Sequence, residues 1–429
     1  MTATAFEGRG AGSGVGPGAA WAWCLYDWAN SAYPTVIVTF VFSAYFARGV
    51  AETPEFGTVL WGNAISLSAL AVALLAPVLG AIADQGGRRK PWMAAFTATA
   101  VAASAALWWI EPRPELALLA LLLIGLGNFG FEFGAAFYNA MLPDIAGPAR
   151  IGRLSGWAWA LGYAGGLGCL ALALLLFVLP EAPLFGLERG AAEEVRATGP
   201  LVALWMALFS LPLFLFVPDR PRTALPLASA VKLGLATLLQ TLRHLGRYPG
   251  LLRFLIARMI YTDGLNTLFA FGGLYAAGTF GMEFEEILVF GILLNVASGL
   301  GAFGFAWIDD WIGPKPTILI ALAALAALGL AILLIEDKIW FTLAGCGIGL
   351  FLGPAQAASR SLMARLAPRE YMTEMFGLYA LSGKATAFVG PALVGWVTYL
   401  AGSQRLGMAT ILAFFLVGMV LLWPLKAPR

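Results

Sequence analysis

Hydrophobic residues in this chain gather in long stretches, and charged residues are largely confined to the short connectors between them. Twelve stretches follow one another almost end to end, and about 20 apolar residues suffice to carry a helix across a bilayer. The first six read as Trp21 to Ala47, Thr58 to Ala83, Pro91 to Ile110, Glu115 to Met141, Gly152 to Leu179 and Pro200 to Val217. The next six are Leu251 to Gly278, Glu286 to Ile308, Pro316 to Ile335, Ile339 to Ala364, Thr373 to Leu400 and Arg405 to Trp423. A backbone amide left unpaired in hydrocarbon costs several kcal/mol, so each stretch is predicted to be a helix, and no short alternating segments suggest a barrel. The expected fold is an all-α membrane protein of 12 transmembrane helices.

Composition agrees: 60% of the 429 residues are apolar, 12% are charged, and the mean hydropathy is +0.82. So much hydrocarbon exceeds what a water-soluble core of this size could bury, and lipid is the expected solvent. The longest polar connector, residues 218–250, divides the chain into six-helix bundles over 21–217 and 251–423, with tails at 1–20, expected to be disordered, and 424–429. If the N-terminus is cytoplasmic, 16 Lys and Arg fall in inside loops and 6 in outside loops. The positive-inside bias therefore places both termini and the connector in the cytoplasm. The net charge of +2 shows no basic face for nucleic acid. Cys24, Cys169 and Cys346 each lie in an apolar stretch and suggest neither a disulfide nor a metal site. The only histidine, His244, sits in the basic connector, so no nucleophile–base pair is in prospect. A phosphate-loop reading of Gly10, Gly12, Gly14 and Gly16 fails because no strand precedes them. No enzyme, cofactor or metal is expected.

The halves resemble each other weakly. Asp27, Asn30 and Ser31 match Asp263, Asn266 and Thr267; the run Asp84 to Lys90 matches Asp310 to Lys315; Ala135 to Tyr138 matches Ala357 to Arg360; and Gly156 and Gly162 match Gly377 and Gly383. Four matches in the same order point to a duplicated unit whose halves are related by an axis along the membrane normal.

Charges at a helix centre cost about 2.5–3.5 kcal/mol on insertion scales and usually face a bundle interior or a water-filled cavity. Here they are Asp27, Glu132, Arg258, Asp263, Arg360 and Lys384. Asp27, Asn30, Ser31 and Pro34 share an arc of about 100° at helical spacing, and Asp263, Asn266 and Thr267 repeat it. Asn128, Glu132 and Asn139 fall on one side of the fourth helix, and Gln356 and Arg360 form an i, i+4 pair on the tenth. The functional reading is a solute or proton site between the halves built from Asp27, Asn30, Ser31, Asn128, Glu132, Asp263, Asn266, Gln356, Arg360 and Lys384. Carboxylates would meet an ammonium group, and Lys384 or Arg360 a carboxylate. The other reading is that the same charges simply pair across helices and fix packing.

The run Gly80-Ala81-Ile82-Ala83-Asp84-Gln85-Gly86-Gly87-Arg88-Arg89-Lys90 has its own logic. Gly80 permits close helix contact, Gly87 a tight turn, Asp84 a cap on a helix N-terminus, and the bases an anchor at the headgroups. Such a loop can latch one bundle to the other. Asp310, Gly313 and Lys315 supply a second, weaker version.

Two bundles of six spans, with this loop between the second and third, resemble the major facilitator superfamily and its signature. Within it, Tyr26-Asp27-Trp28-Ala29-Asn30-Ser31-Ala32-Tyr33, Gly353 to Ser361 and Phe376 to Lys384 are similar to the autophagy-related vacuole effluxer family and its bacterial relatives. The resemblance implies a secondary transporter working by alternating access, with amino-acid efflux the activity of the eukaryotic members. It also implies that Asp84 stabilises the outward-facing state by capping a helix of the other half. The short connector suggests a bacterial relative in the plasma membrane. The expected partners are the lipid bilayer, a small polar solute and, in a proton-coupled scheme, protons; the chain is expected to act as a monomer. A sugar, organic anion or drug remains open as cargo, as does a transporter-like receptor that moves nothing.

Overall fold

The computed structural model describes residues 15–180, 184–223, 225–244, 246 and 248–426. Gly10, Gly12, Gly14 and most of the expected N-terminal tail lie outside that set, as do residues 427–429. The described chain is helical: α1 (Pro17–Val50), α2 (Pro54–Gly86), α3 (Lys90–Trp109), α4 (Pro114–Ile145), α5 (Pro148–Val178) and α6 (Glu193–Phe216) precede the connector. A helix within the connector, α7 (Leu227–His244), is followed by α8 (Pro249–Phe280), α9 (Glu285–Ile312), α10 (Pro314–Leu334) and α11 (Lys338–Leu366). The chain closes with α12 (Met372–Ser382), α13 (Val389–Ala401) and α14 (Gln404–Leu422).

Helix starts follow from local chemistry. Pro17, Pro54, Pro114, Pro148, Pro249 and Pro314 each stand in a first turn, where the missing N–H removes a donor that would have no helical partner. Elsewhere side chains cap: Asp337 accepts from the amides of Ile339 and Trp340, and Ser403 from that of Leu406. Proline also bends the interior. In α1 the stretch Tyr33–Phe40, which contains Pro34, winds as a π-helix.

Among the described residues ten helices, α1 to α6, α9 to α11 and α14, are long and apolar enough to cross a membrane. The seventh expected stretch is the single helix α8, which carries Arg253, Arg258 and Asp263. The eleventh, Thr373 to Leu400, departs from expectation: it is split into α12 and α13 around residues 383–388. Pro391 explains the break, because it has no N–H for the carbonyl of Ala387 and its ring would crowd that carbonyl. Large side chains such as Leu67, Leu74, Leu204, Leu334 and Val420 stand exposed on the outside, a surface suited to hydrocarbon.

α1 packs on α5 and α6, α3 on α4 and α6, and α2 on α4; in the second half α8 packs on α14, α10 and α9 on α11, and α13 on α14. The halves meet reciprocally. α2 lies on α12, and α9, its counterpart in the repeat, lies on α5. Both ends of the described chain and the connector share one end of the bundle, where the Val15 amide donates to the Ile145 carbonyl and Gly250 lies against Leu425. We call this the connector side.

Candidate functional site

The halves are tied together on the connector side by two caps of the same design. Asp84, near the end of α2, accepts from the Thr373 hydroxyl at 2.6 Å and the Glu374 amide at 2.9 Å, and so caps α12. Asp310, near the end of α9, accepts from the amides of Gly152 at 2.9 Å and Arg153 at 3.2 Å, and so caps α5. Each carboxylate neutralises the positive end of a helix from the opposite half. Close backbone approach is required at both places. A Cβ on Gly80 would stand 2.5 Å from the Thr373 carbonyl oxygen, and one on Gly377 2.5 Å from that of Ala76. At the second cap's crossing, a Cβ on Gly156 would stand 2.6 Å from the Ala302 carbonyl oxygen.

Arg89 braces the first cap. Its guanidinium is buried, donates to Thr373 Oγ1 at 2.8 Å and to Asp144 Oδ2 at 2.6 Å, and lies 3.5 Å from Asp84. Burial pulls this guanidinium below its ordinary pKa, and Asp144 and Asp84 oppose the shift. Gly87 takes φ +80°, a conformation open mainly to glycine, and a Cβ there would also collide with the Pro221 carbonyl. Arg88 is exposed. Gly313 turns with φ +95°, and Lys315 donates to the Trp423 carbonyl at 2.6 Å, so both stay within the second half.

Deeper in the bundle, Arg360 of α11 reaches into the first half. It donates to Asp27 Oδ2 at 2.8 Å, Asn139 Oδ1 at 3.1 Å, Ser155 Oγ at 2.9 Å and the Ser155 carbonyl at 2.6 Å. Its guanidinium carbon lies 5.2 Å from the Trp23 ring centroid and 5.6 Å from those of Tyr138 and Trp159. The side chain is 2% exposed.

Lys384, in the break between α12 and α13, donates to Glu132 Oε1 at 2.7 Å. These side chains are 20% and 23% exposed, so the pair faces open space. Asn266 is exposed beside it and reaches the Gly383 carbonyl at 3.5 Å. Arg258 shapes the same corner: it stacks on Tyr379 at 3.4 Å and donates to the Tyr379 carbonyl and to Ser382 Oγ. One turn before Arg360 on α11, Gln356 Oε1 accepts from the Tyr163 hydroxyl of α5 at 2.8 Å.

Other expected site residues go elsewhere. Asp263 is buried and accepts from the Gly390 amide at 3.2 Å, capping α13 in its own half. Asn128 donates to Ser68 Oγ at 3.0 Å and ties α4 to α2. Asn30 is buried in α1, and Ser31 stands where a Cβ on Gly162 would meet it at 2.8 Å. Periodicity placed these residues on polar arcs but could not say which neighbour each arc would meet. Ser155, Thr373 and Asp144 gave no signal in the sequence, whereas Arg258 stood out as an intramembrane charge without an evident partner.

The profile of the family described as Vacuole effluxer Atg22 like matches residues 59–429. An uncharacterized MFS-type transporter, YxiO, of Bacillus subtilis is 27% identical over 405 residues, 93% of this chain and 92% of that protein. Autophagy-related protein 22 of Cryptococcus neoformans is 27% identical over 295 residues, which cover 62% of this chain and 48% of the fungal protein. Among solved structures, the human organic anion transporter MFSD10 superposes with a TM-score of 0.71 at 19% identity, covering 95% of this chain and all of that one. The proton:xylose symporter XylE superposes with a TM-score of 0.73 at 14% identity and 96% coverage of both chains. At such low identity these two likenesses speak to the fold. With the family profile spanning most of the sequence and a transporter relative spanning nearly all of it, this chain belongs to the Atg22-like vacuole effluxer family and is a multi-pass membrane transporter of the major facilitator type.

Proposed function

We propose that this protein moves an amino acid across the plasma membrane by alternating access, with the solute bound between the halves at Glu132 and Lys384. One observation carries the reading: this ion pair crosses between the halves and is nevertheless partly open, with the amide of Asn266 at its edge. A zwitterion can replace each partner for the other, its ammonium on Glu132 and its carboxylate on Lys384, so that neither charge is left bare when the pair opens. Removal of either group should leave the other unpaired and bind solute poorly.

The positive-inside bias supports a cytoplasmic connector side and twelve crossings, with α8 and the broken α12–α13 segment completing the count of ten. The two caps and the Arg360 cluster then close the cytoplasmic side, which corresponds to an outward-facing state. Opening requires the halves to part at Asp84, Asp310 and Arg360, with one chain holding the whole path. Glu132 is the group best placed to exchange a proton, because it alone among the carboxylates named here meets both an ammonium and open space.

The test is uptake of a labelled amino-acid panel into proteoliposomes, with and without a pH gradient. Saturable flux of at least one amino acid, lost in Glu132→Gln and Lys384→Met, is expected. Failure across the panel together with flux of a sugar or organic anion would overturn the amino-acid reading. Saturable binding without any flux would favour a receptor. For proton coupling, Glu132→Gln should abolish pH-driven accumulation.

A further inference from the structure

The Arg360 cluster has a division of labour that pairing alone does not require. Every hydrogen-bond acceptor of the guanidinium, and every ring it stacks near, belongs to the first half: Trp23 and Asp27 on α1, Tyr138 and Asn139 on α4, Ser155 and Trp159 on α5. The donor comes from the second half, with Tyr379 of that half close enough to act on its charge. We propose that these residues form a guanidinium-binding subsite, filled by Arg360 while the cytoplasmic side is closed and taken by the side chain of an arginine-like solute when the halves part. This rests on the alternating-access reading above and names the solute class that the path would accept from the cytoplasm.

The chemistry fits a planar fork. Acceptors meet Nε, Nη1 and Nη2 separately, which a compact ammonium could not reproduce, and three aromatic rings supply the flanking faces. Asp27 provides the counter-charge. The Trp159 indole N–H is buried without a hydrogen-bond partner, so the pocket holds a spare donor. Asn139 follows Glu132 by two helical turns on α4, about 10 Å, which places the subsite in line with the Glu132–Lys384 pair on the cytoplasmic side. In the closed state Arg360 is a tethered competitor. A group on a short tether acts at an effective millimolar concentration, and the apparent affinity of a free ligand falls with the fraction of time its site is vacant.

The test is equilibrium binding of radiolabelled L-arginine to the purified full chain in detergent, with L-citrulline, its uncharged near-isostere, as competitor. Arg360→Ala should bind arginine at least about tenfold more tightly than the unaltered protein, since the tethered competitor is gone. Citrulline should not displace it, and adding Asp27→Asn should remove the gain. Unchanged arginine affinity in Arg360→Ala, or equal competition by citrulline, would overturn the proposal. If Arg360→Ala does not purify as a single species, the unaltered protein decides. Arginine but not citrulline, added from the connector side, should speed maleimide labelling of Cys24, the buried neighbour of Trp23; no acceleration overturns the idea. Flux of neutral amino acids without arginine binding would remove the subsite and leave the transport reading standing. Arginine binding with no flux of any amino acid would do the reverse.

Discussion

The two caps between the halves share an architecture and differ in what surrounds it. At the first, glycine stands on both helices, Gly80 on α2 and Gly377 on α12, and the buried Arg89 has its charge answered by Asp84 and Asp144. At the second, Gly152 and Gly156 of α5 face Ala302, Ala306 and Asp309 of α9. One of its two bases is open to water. Arg153 is 35% exposed, whereas the Arg365 side chain is only 6% exposed and lies 3.5 Å from Asp310 and 3.8 Å from Asp309. Duplication preserved the geometry of capping, in which a carboxylate meets the start of a helix from the other half. The bracing diverged, so one contact acts as a lock on a buried charge while the other is a joint with reserves. Buried pairs are costly to break from one side, and partly solvated ones are not.

The largest expected effect is therefore at the first cap. Asp84→Asn strips a buried guanidinium of one of its counter-ions, at a cost of about 3 kcal/mol, which should favour the state open on the connector side on the order of 100-fold. Labelling of Cys24 by an impermeant maleimide from the connector side reads this directly, since Cys24 is wholly buried in the closed state. A labelling rate like that of the unaltered protein would break the distinction. Next come the crossings themselves. Gly377→Ala and Gly156→Ala each force a Cβ into a carbonyl oxygen of the facing helix, and each should weaken closure by about 1–3 kcal/mol. The two should be equal within error in the same assay, because the distances are nearly the same.

Asp310→Asn should then have a smaller effect than Asp84→Asn, about 1 kcal/mol, because Arg153, which donates to Asp310, keeps water while the base beside Asp84 is buried. Equal effects of the two Asp→Asn changes would show that bracing plays no part. The smallest effect belongs to the exposed base of the same signature. Arg88→Gln should change Cys24 labelling by less than about 0.5 kcal/mol, because a surface substitution away from a cap or pair costs little.

Much of the fold could be read from the chain because lipid imposes it: an apolar stretch of the right length has to be a helix. The break at residues 383–388 escaped that rule. Its flanks are apolar enough to pass for one span, and the clues, Gly383, Lys384 and Pro391, lie among residues that membrane helices often tolerate. The first cap was legible because Gly80, Asp84 and Gly87 lie close together in sequence, whereas Thr373, Asp144 and Glu374 are supplied by folding from distant positions. Polar arcs were legible in the same limited sense. Asp27 and Asp263 occupy matching places in the repeat, yet one meets a guanidinium of the opposite half and the other caps a neighbouring helix in its own. A helical period gives the direction of a side chain but not the neighbour it will find, and the aromatic walls around Arg360 come from three helices that no local pattern connects.

Lys384 sits on a strap with both ends fastened to one helix. Arg258 of α8 grips the final turn of α12, Asp263 of α8 accepts from the Gly390 amide in the first turn of α13, and the Met259 carbonyl of α8 accepts from Thr386 between them. The ammonium therefore cannot swing freely as a lysine on a loose loop would. A small roll or slide of α8 carries both anchors with it, so the helix works as a lever whose load is a single positive charge, and the depth at which that charge rests is set by a rigid rod rather than by the solute.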